Sequence, residues 1–553
     1  MIVFLGTVLT FLSTIRADMG KARLPKGSSV GQVSVAVYES GTRTALPCRA
    51  WVSTGGKRVF DPITESCTPY AKDRSFSCDG HFVIEVPAGK ATIHIERGKE
   101  YWPVNKAVVV EKDQTTKVDI TLKRWVNMYK EGWYSSDMHC HFGVDNLNVL
   151  RQLALADDVN FEPIITLWNH QRSKTTDNNW PDWLNGASVY ADATHLITLR
   201  NQEIERIGGQ AFESIGALLM FGLTKPVKMP LPNDKYPCDT VLGRMAKRTS
   251  PYCIIDTDKP IWGENVVGVA LGLFDSVQIC HNHYHRESTS PTGWGMIGAD
   301  IEDEHEQWGQ DELFHRTNLT YYRFLNCGFK LAVTGGSAMG VMPVPLGYNR
   351  TYAKLNGTLT EDNYLATIRA GRTFATSGPI LIFTVNGLDS GAEIKYSTHK
   401  RKPIIVRAEV RSIQRLDSLE LISNGKVIKK VVLKNQLPSP VLKESLLFEC
   451  RPQRSGWVAA RTLFIGPDGH LRQAHTSPVY ITVDGKLTAS KRDAQYMMRW
   501  IECLLKVSEK SGRYRSDMER AEVQAIFQEA RQKYEAIAHQ AEKFWADYRN
   551  PKK

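Results

Sequence analysis

From residue 31 to about 123 the chain alternates apolar and polar side chains with a period of two. This pattern restricts the fold more than any other feature. The runs GQVSVAVYE, HFVIEVPAG, KATIHIERG, KAVVVE and TKVDITLKRW place every second side chain on one face of an extended backbone, and Gly, Pro and Asp punctuate them. Strands of this kind each need one face covered, which predicts a β-sandwich over residues 31–123. Cys48, Cys67 and Cys78 fall inside this stretch. In an exported chain two of them can pair, and their spacing leaves the choice open.

A chain of 553 residues exceeds one hydrophobic core, and the patterning divides it accordingly. From Trp133 apolar segments alternate with helical ones, which predicts βα units over 130–383. A second β-rich stretch follows over 384–485, with PIIVRAEVRS, SLELISNGKVIKKVVL, GWVAARTLFI and PVYITVDG. Over 488–548 Met497, Trp500, Ile501 and Leu504, then Val523, Ile526, Phe527, Ala530, Tyr534 and Ile537, recur at helical steps on either side of Ser511-Gly512. A helical hairpin is expected there. Residues 1–18 carry an apolar run, Ile2 to Leu12, followed by Thr14-Ile15-Arg16-Ala17, the pattern of a signal peptide or N-terminal anchor. Export to the periplasm, the exterior or the cell surface is the expected localisation, with no integral membrane domain beyond that anchor. The net charge of +11 is dispersed, without the clustering of a nucleic-acid footprint, so no nucleic-acid partner is expected.

The middle region holds the chemistry. YSSDMHCHF sets Asp137, His139 and His141 at alternate positions, so an extended backbone points both imidazoles one way with the carboxylate able to join or orient them. Nitrogen and oxygen donors of this kind suit Zn, Mn or Fe; a pair of hydrogen-bonded loop histidines is the plain alternative. Further apolar runs also end in ligand-type residues. EPIITLW leads to Asn169-His170, LITLRNQEIE carries Glu203 and Glu205, DSVQIC precedes His281, His283 and His285, and FKLAVT precedes Gly335-Gly336-Ser337. Polar residues at successive strand ends are the arrangement of (β/α) barrel active sites. Residues 144–158 fit one connecting helix between the first two runs. Tyr348, Asn349 and Arg350 follow a Pro/Gly-rich loop, and Arg350 is a candidate clamp for an anionic substrate group. Six tryptophans (Trp168, Trp180, Trp183, Trp262, Trp294 and Trp308) and an acidic run, Glu302 to Glu306, also fall in this region.

GWYSSDMHCHF, ITLWNH, RNQEIERIGG, DSVQICHNHYH, LNCGFKLAVTGGSAMGVMPVPLGYNRTY and RAGRTFATSGPILIFTVNG together resemble the polymerase-and-histidinol-phosphatase (PHP) superfamily. Within it they are most similar to the carbaryl-hydrolase-like CehA/McbA metallohydrolases. Similarly, VPAGKATIHIERG with KVDITLKRW resembles carboxypeptidase-regulatory-like or Ig-like modules. The PHP resemblance implies a multidomain chain whose centre is an α/β distorted (β/α)7 barrel, flanked by small all-β sandwiches and the C-terminal hairpin. It also implies metal ligands at Asp137, His139, His141, Glu203, His170 and His283, with Glu205 the fallback for Glu203 and His281 and His285 the rivals of His283. His170 and His283 are further expected to stabilise charge on the substrate.

The chain departs from that family pattern in three places. Asn169 stands where an aspartate is usual, no histidine follows Glu203 in GGQAFESIGALLMFGL, and Gly336-Ser337-Ala338-Met339-Gly340 lacks the terminal aspartate and histidine. One or two divalent ions are therefore expected. The expected activity is hydrolysis of an ester, amide, carbamate or phosphoester bond by a metal-activated water, on a small-molecule or glycan substrate. The alternative is a catalytically degenerate barrel acting as a metal-containing carbohydrate- or surface-binding protein.

Overall fold

The computed structural model describes residues 29–55, 57–59, 62–70, 72–141, 146–170, 180, 188–206, 216–228, 236, 238–290, 309–399, 402–434, 441–510 and 514–549. The apolar N-terminal run, Trp183, Trp294, Trp308 and the acidic run at 302–306 lie outside these residues.

Two sheets make the N-terminal module. Val30–Glu39 lies between His81–Pro87, which is antiparallel to it, and Thr115–Leu122, which is parallel. The second sheet runs Thr68–Tyr70, Ser75–Cys78, Cys48–Thr54, Gly89–Glu96, Val104–Val110, with Lys57–Val59 paired on Cys48–Thr54. The period-two pattern becomes burial directly. Val33, Val35 and Val37 from one sheet and Ile93, Ile95 and Phe76 from the other are fully buried in one core. Each such side chain contributes about 1.5–3 kcal/mol by leaving water.

The middle region forms one mixed sheet, and the expected (β/α)7 barrel is overturned by it. Trp133–Ser136, Phe161–His170 and His195–Arg206 run parallel, but Gly216–Phe221 is antiparallel to both of its neighbours, His195–Arg206 and Ile254–Asp256. Ile254–Asp256, Ser276–Cys280 and Ala332–Gly335 are again parallel. On the other side of Trp133–Ser136 come Arg350–Lys354, Thr373–Thr376 and Leu471–Thr476, each antiparallel to the last. Chain length explains the first reversal. Only residues 207–215 join His195–Arg206 to Gly216–Phe221, too few for the crossover that parallel strands require. The sheet then continues into the C-terminal module through Gly456–Ile465, Ser418–Ser423 and Lys426–Val432, giving a multidomain, β-rich fold in which strand exceeds helix.

The helix expected at 144–158 is Leu147–Ala156. It starts at Asn146, whose side chain accepts the amides of Asn148 and Val149, and Asp158 just beyond it adopts φ 51°. Ile380–Val385, Ile404–Ser412 and Leu442–Cys450 form a further antiparallel sheet with Leu388–Asp389. It shares a core with the extended large sheet through Leu381, Val406, Val410, Leu419 and Val458. Lys491–Lys510 and Asp517–Arg549 are the last two helices. Trp500 stacks near Phe324, and Tyr534 donates to the Val266 carbonyl at 2.9 Å, which docks the pair on the middle region. Among the described residues no helix is long and apolar enough to cross a membrane.

Buried ion pairs join the N-terminal sandwich to the middle region. Arg49 binds both carboxylate oxygens of Asp157, at 2.9 and 2.5 Å, and donates to Ser75 Oγ at 2.7 Å. Arg97 and Arg124 both reach Asp158, at 3.0 and 2.9 Å, and His195 lies 3.5 Å from it. Burial alone would raise the Asp158 pKa. The Arg97 charge, the His195 hydrogen bond and Arg124 hold it well below the usual carboxylate range instead.

Two outcomes follow from this junction. Arg49→Leu leaves Asp157 buried and unpaired, so it should lower unfolding free energy in urea by about 3–5 kcal/mol. Arg43→Ala, which breaks the exposed pair with Asp119, should leave the midpoint unchanged. Because the folded Asp158 carboxyl titrates below its unfolded value, its contribution is complete above roughly pH 5 and is lost as pH falls below about 4. A urea midpoint that stays flat from pH 6 to pH 3 would contradict this assignment.

Candidate metal centre

The segment after Trp133–Ser136 stays extended because both of its sides are hydrogen-bonded. Met138 N donates to Gly335 O at 3.0 Å, His141 N to Met339 O at 2.8 Å, and Ile165 N to Cys140 O at 2.8 Å. Side chains two apart therefore share a face, and His139 and His141 point together. Their Nε2 atoms are 2.9 Å apart. Glu203, midway along His195–Arg206 and in register with Trp168, brings Oε2 to 2.9 Å from His141 Nε2 and 3.6 Å from His139 Nε2. Among the described residues these three form the group able to hold an ion, with ligand atoms all within 4.8 Å of one another. The backbone beside them is crowded: a Cβ on Gly336 would stand 2.5 Å from His139 Cβ. Gly340, at φ 95°, approaches the His141 carbonyl, and a Cβ there would stand 2.7 Å from that oxygen.

The charges suit a cation. Glu203 Oε2 is buried and accepts no regular hydrogen bond. Burial would raise the Glu203 pKa, but the two imidazoles, His141 foremost, hold it at about 2. Burial lowers His141, which favours the neutral ligand form. His139 is the opposite case: burial would lower it, but Glu203 and then Asp258 push it up to about 10. A divalent ion at Nε2 would replace that proton.

Asp258 was not singled out from the sequence. Its Oδ1 lies 3.2 Å from His139 Nδ1, while Oδ2 accepts Lys259 Nζ at 2.6 Å and Trp262 Nε1 at 3.0 Å. A carboxylate behind a ligand histidine fixes its tautomer and aims its other nitrogen. The available signal was Asp256-Thr257-Asp258 at the end of the apolar run Cys253–Ile255, the same strand-end pattern used elsewhere.

The other expected ligands fall differently. Asp137 is a backbone clamp: one oxygen accepts His139 N and Ser337 N, the other Gly347 N, at 2.7–3.1 Å. Burial still raises its pKa to about 6. Glu205 is outside the group, and Trp168 Nε1 donates to it at 2.9 Å. Burial, then the Glu203 charge, raises Glu205 to about 8. His281 and His283 are buried with ring centroids 5.5 Å apart, and burial holds both well below the ordinary histidine value. His281 faces Thr317, and His285 lies between Ser288 and Ser290. None of the three joins the ion-binding group. His170 ends its strand, and its side chain lies outside the described ones.

Arg350, expected to clamp an anion, is fully buried and donates to the carbonyls of Gly347, Asp157 and Asp158. Its donors serve the fold and do not face an anionic substrate group. Asn349 bonds the carbonyls of His281 and Tyr284, and Tyr348 is covered by Lys99 at 4.2 Å from its ring. The aromatic group facing solvent at the centre is Trp168, 40% exposed, with its ring centroid 4.6 Å from that of His141.

No family model matches the chain, and no curated protein matches it. Among solved structures, two with slight similarity are as follows. One is GBS52, the minor pilin of Streptococcus agalactiae, at 17% identity over 18% of this chain and 47% of that one, with a TM-score of 0.15. The other is the Bacillus anthracis TIE protein, at 8% identity over 82% of this chain and 50% of that one, with a TM-score of 0.14. The match spans about half the length of each.

Zinc titration of the purified chain separates these roles. His139→Ala and Glu203→Gln should each abolish binding, because each removes one of three ligands. Asp258→Asn should weaken binding about 10–100-fold while leaving the stoichiometry intact. Equal affinities for Asp258→Asn and the unmodified chain would remove Asp258 from the centre.

Proposed function

We propose that the chain is an exported metal-dependent hydrolase. The observation that carries this reading is the convergence of His139, His141 and Glu203 at one buried point, with Asp258 behind His139. The motif-level resemblance to PHP-type CehA/McbA metallohydrolases supports it at the same residues, and the N-terminal apolar run supports export. A zinc, manganese or iron ion held there supplies a water of lowered pKa and polarises the substrate oxygen.

The chain's own groups do the rest. Asp258 keeps the proton on His139 Nδ1 and so leaves Nε2 as the ligand. Burial raises the Glu205 pKa and Trp168 Nε1 donates to its carboxyl, which makes it the group suited to exchange a proton with the substrate. Trp168 offers an apolar face at the opening. The bond class is an ester, amide, carbamate or phosphoester. A second reading, a metal-containing carbohydrate- or surface-binding protein, is favoured by Ala338 and Gly340. They stand where the resembled family has an aspartate and a histidine, and neither offers a ligand atom from a side chain.

One set of measurements tests both readings. The purified chain should hold about one divalent ion, lost in His139→Ala. It should also hydrolyse at least one member of a panel of aryl esters, amides, carbamates and phosphoesters in a chelator-sensitive way. Full metal content with no turnover across the panel would favour the binding protein. Metal content below one ion and unchanged by His139→Ala would overturn both.

A further inference from the structure

The N-terminal sandwich contains three thiols in one apolar core, and the sheet puts two of them face to face. Cys48 opens the strand Cys48–Thr54, Cys78 closes Ser75–Cys78, and they are direct partners in the antiparallel register. Directly opposed residues project from the same face, with Cβ atoms about 4.5–5.5 Å apart. The Sγ atoms stand 3.6 Å apart, and both residues are fully buried. Cys67 lies in the same core, just before Thr68–Tyr70, the strand on the other side of Ser75–Cys78.

We infer that Cys48 and Cys78 form a disulfide in the mature protein and that Cys67 remains a thiol. The two side chains are already aligned, and the bond needs their Cβ atoms to close from the cross-strand spacing to the roughly 3.5–4.5 Å that a disulfide accepts. Its formation is a thiol–disulfide exchange with an oxidised protein or small-molecule disulfide. One thiolate attacks that donor, the second thiolate attacks the mixed disulfide, and the donor leaves as two thiols carrying the two electrons. Both sulfurs are buried in the finished module, so the exchange takes place before the sandwich closes.

The segment that the bond would tie off has a second duty. Between Cys48 and Cys78 lie Tyr70 and Lys72, which reach across to the loop flanking His141. Gly340 N donates to Tyr70 Oη at 2.9 Å, Tyr70 Oη donates to the Met342 carbonyl, and Lys72 Nζ donates to the Val341 carbonyl. Asp73, on the same segment, holds Arg286 at 3.2 Å and lies 3.8 Å from Arg49. A bond from Cys48 to Cys78 fixes both ends of the stretch that presents these contacts.

The test is peptide mapping of the full chain produced in an oxidising periplasm, alkylated in denaturant without reductant. The expected result is one linked species joining the Cys48 and Cys78 peptides, two hydrogens lighter than their sum, with Cys67 alkylated. Reductant should then lower the unfolding midpoint of the unmodified chain and of Cys67→Ala alike, and leave that of Cys48→Ala/Cys78→Ala unmoved. Full alkylation of all three cysteines, or a link that includes Cys67, would overturn the assignment.

Discussion

The geometry of the centre depends on the carboxylate of Asp137. It sits fully buried and takes three backbone N–H groups, those of His139, Ser337 and Gly347. Three separate stretches of chain are thereby pinned to one side chain: the histidine segment, the Gly335–Met339 turn and the loop before Arg350. Burial disfavours the charged form and the three donors favour it, so the group is kept as an acceptor only while all of them stay in place. The histidine pair faces one way because this clamp and the flanking backbone bonds keep residues 137–141 extended.

The same dependence extends to the N-terminal sandwich. Arg350, next to the loop clamped by Asp137, bonds the carbonyls of Asp157 and Asp158, while the side chains of those aspartates receive Arg49, Arg97 and Arg124. One Asp-Asp step thus ties the sandwich through its carboxylates and the middle region through its carbonyls. Tyr70 makes a second link, to the loop beside His141. The sandwich is part of what positions the centre and more than an appended module.

The sequence made some of this legible and concealed the rest for physical reasons. Alternation from 31 to 123 specified strands because each buries one face, and Val30–Glu39, His81–Pro87 and Gly89–Glu96 retain that periodicity. The His-x-His spacing specified two imidazoles on one face for the same reason. Strand direction was not legible. A fully buried strand such as Gly216–Phe221 is an unbroken apolar run whether its neighbours are parallel or antiparallel. A barrel inferred from strand-end polar residues therefore did not follow from the pattern. Glu203 and Glu205 share a strand face, and only the register with Trp168 and His170 separates them. Arg350 illustrates the converse error: an arginine after a Pro/Gly loop has the same sequence signature whether its donors meet a ligand or three carbonyls.

The charge count at the centre bears on how many cations it could hold. Glu203 and Asp258 bring two negative charges, and Lys259, buried with Nζ on Asp258, returns one positive charge. Burial and then the Glu203 charge raise the Glu205 pKa, and a cation at the centre would offset the second of these. A single divalent ion on His139, His141 and Glu203 would leave these groups with one net positive charge. A second ion would add two more beside the Lys259 ammonium, with neither a carboxylate at Ala338 nor an imidazole at Gly340 to meet it. Ala338, Gly340 and the ammonium of Lys259 thus act in one direction, because each leaves less negative charge at the centre for a further cation to meet.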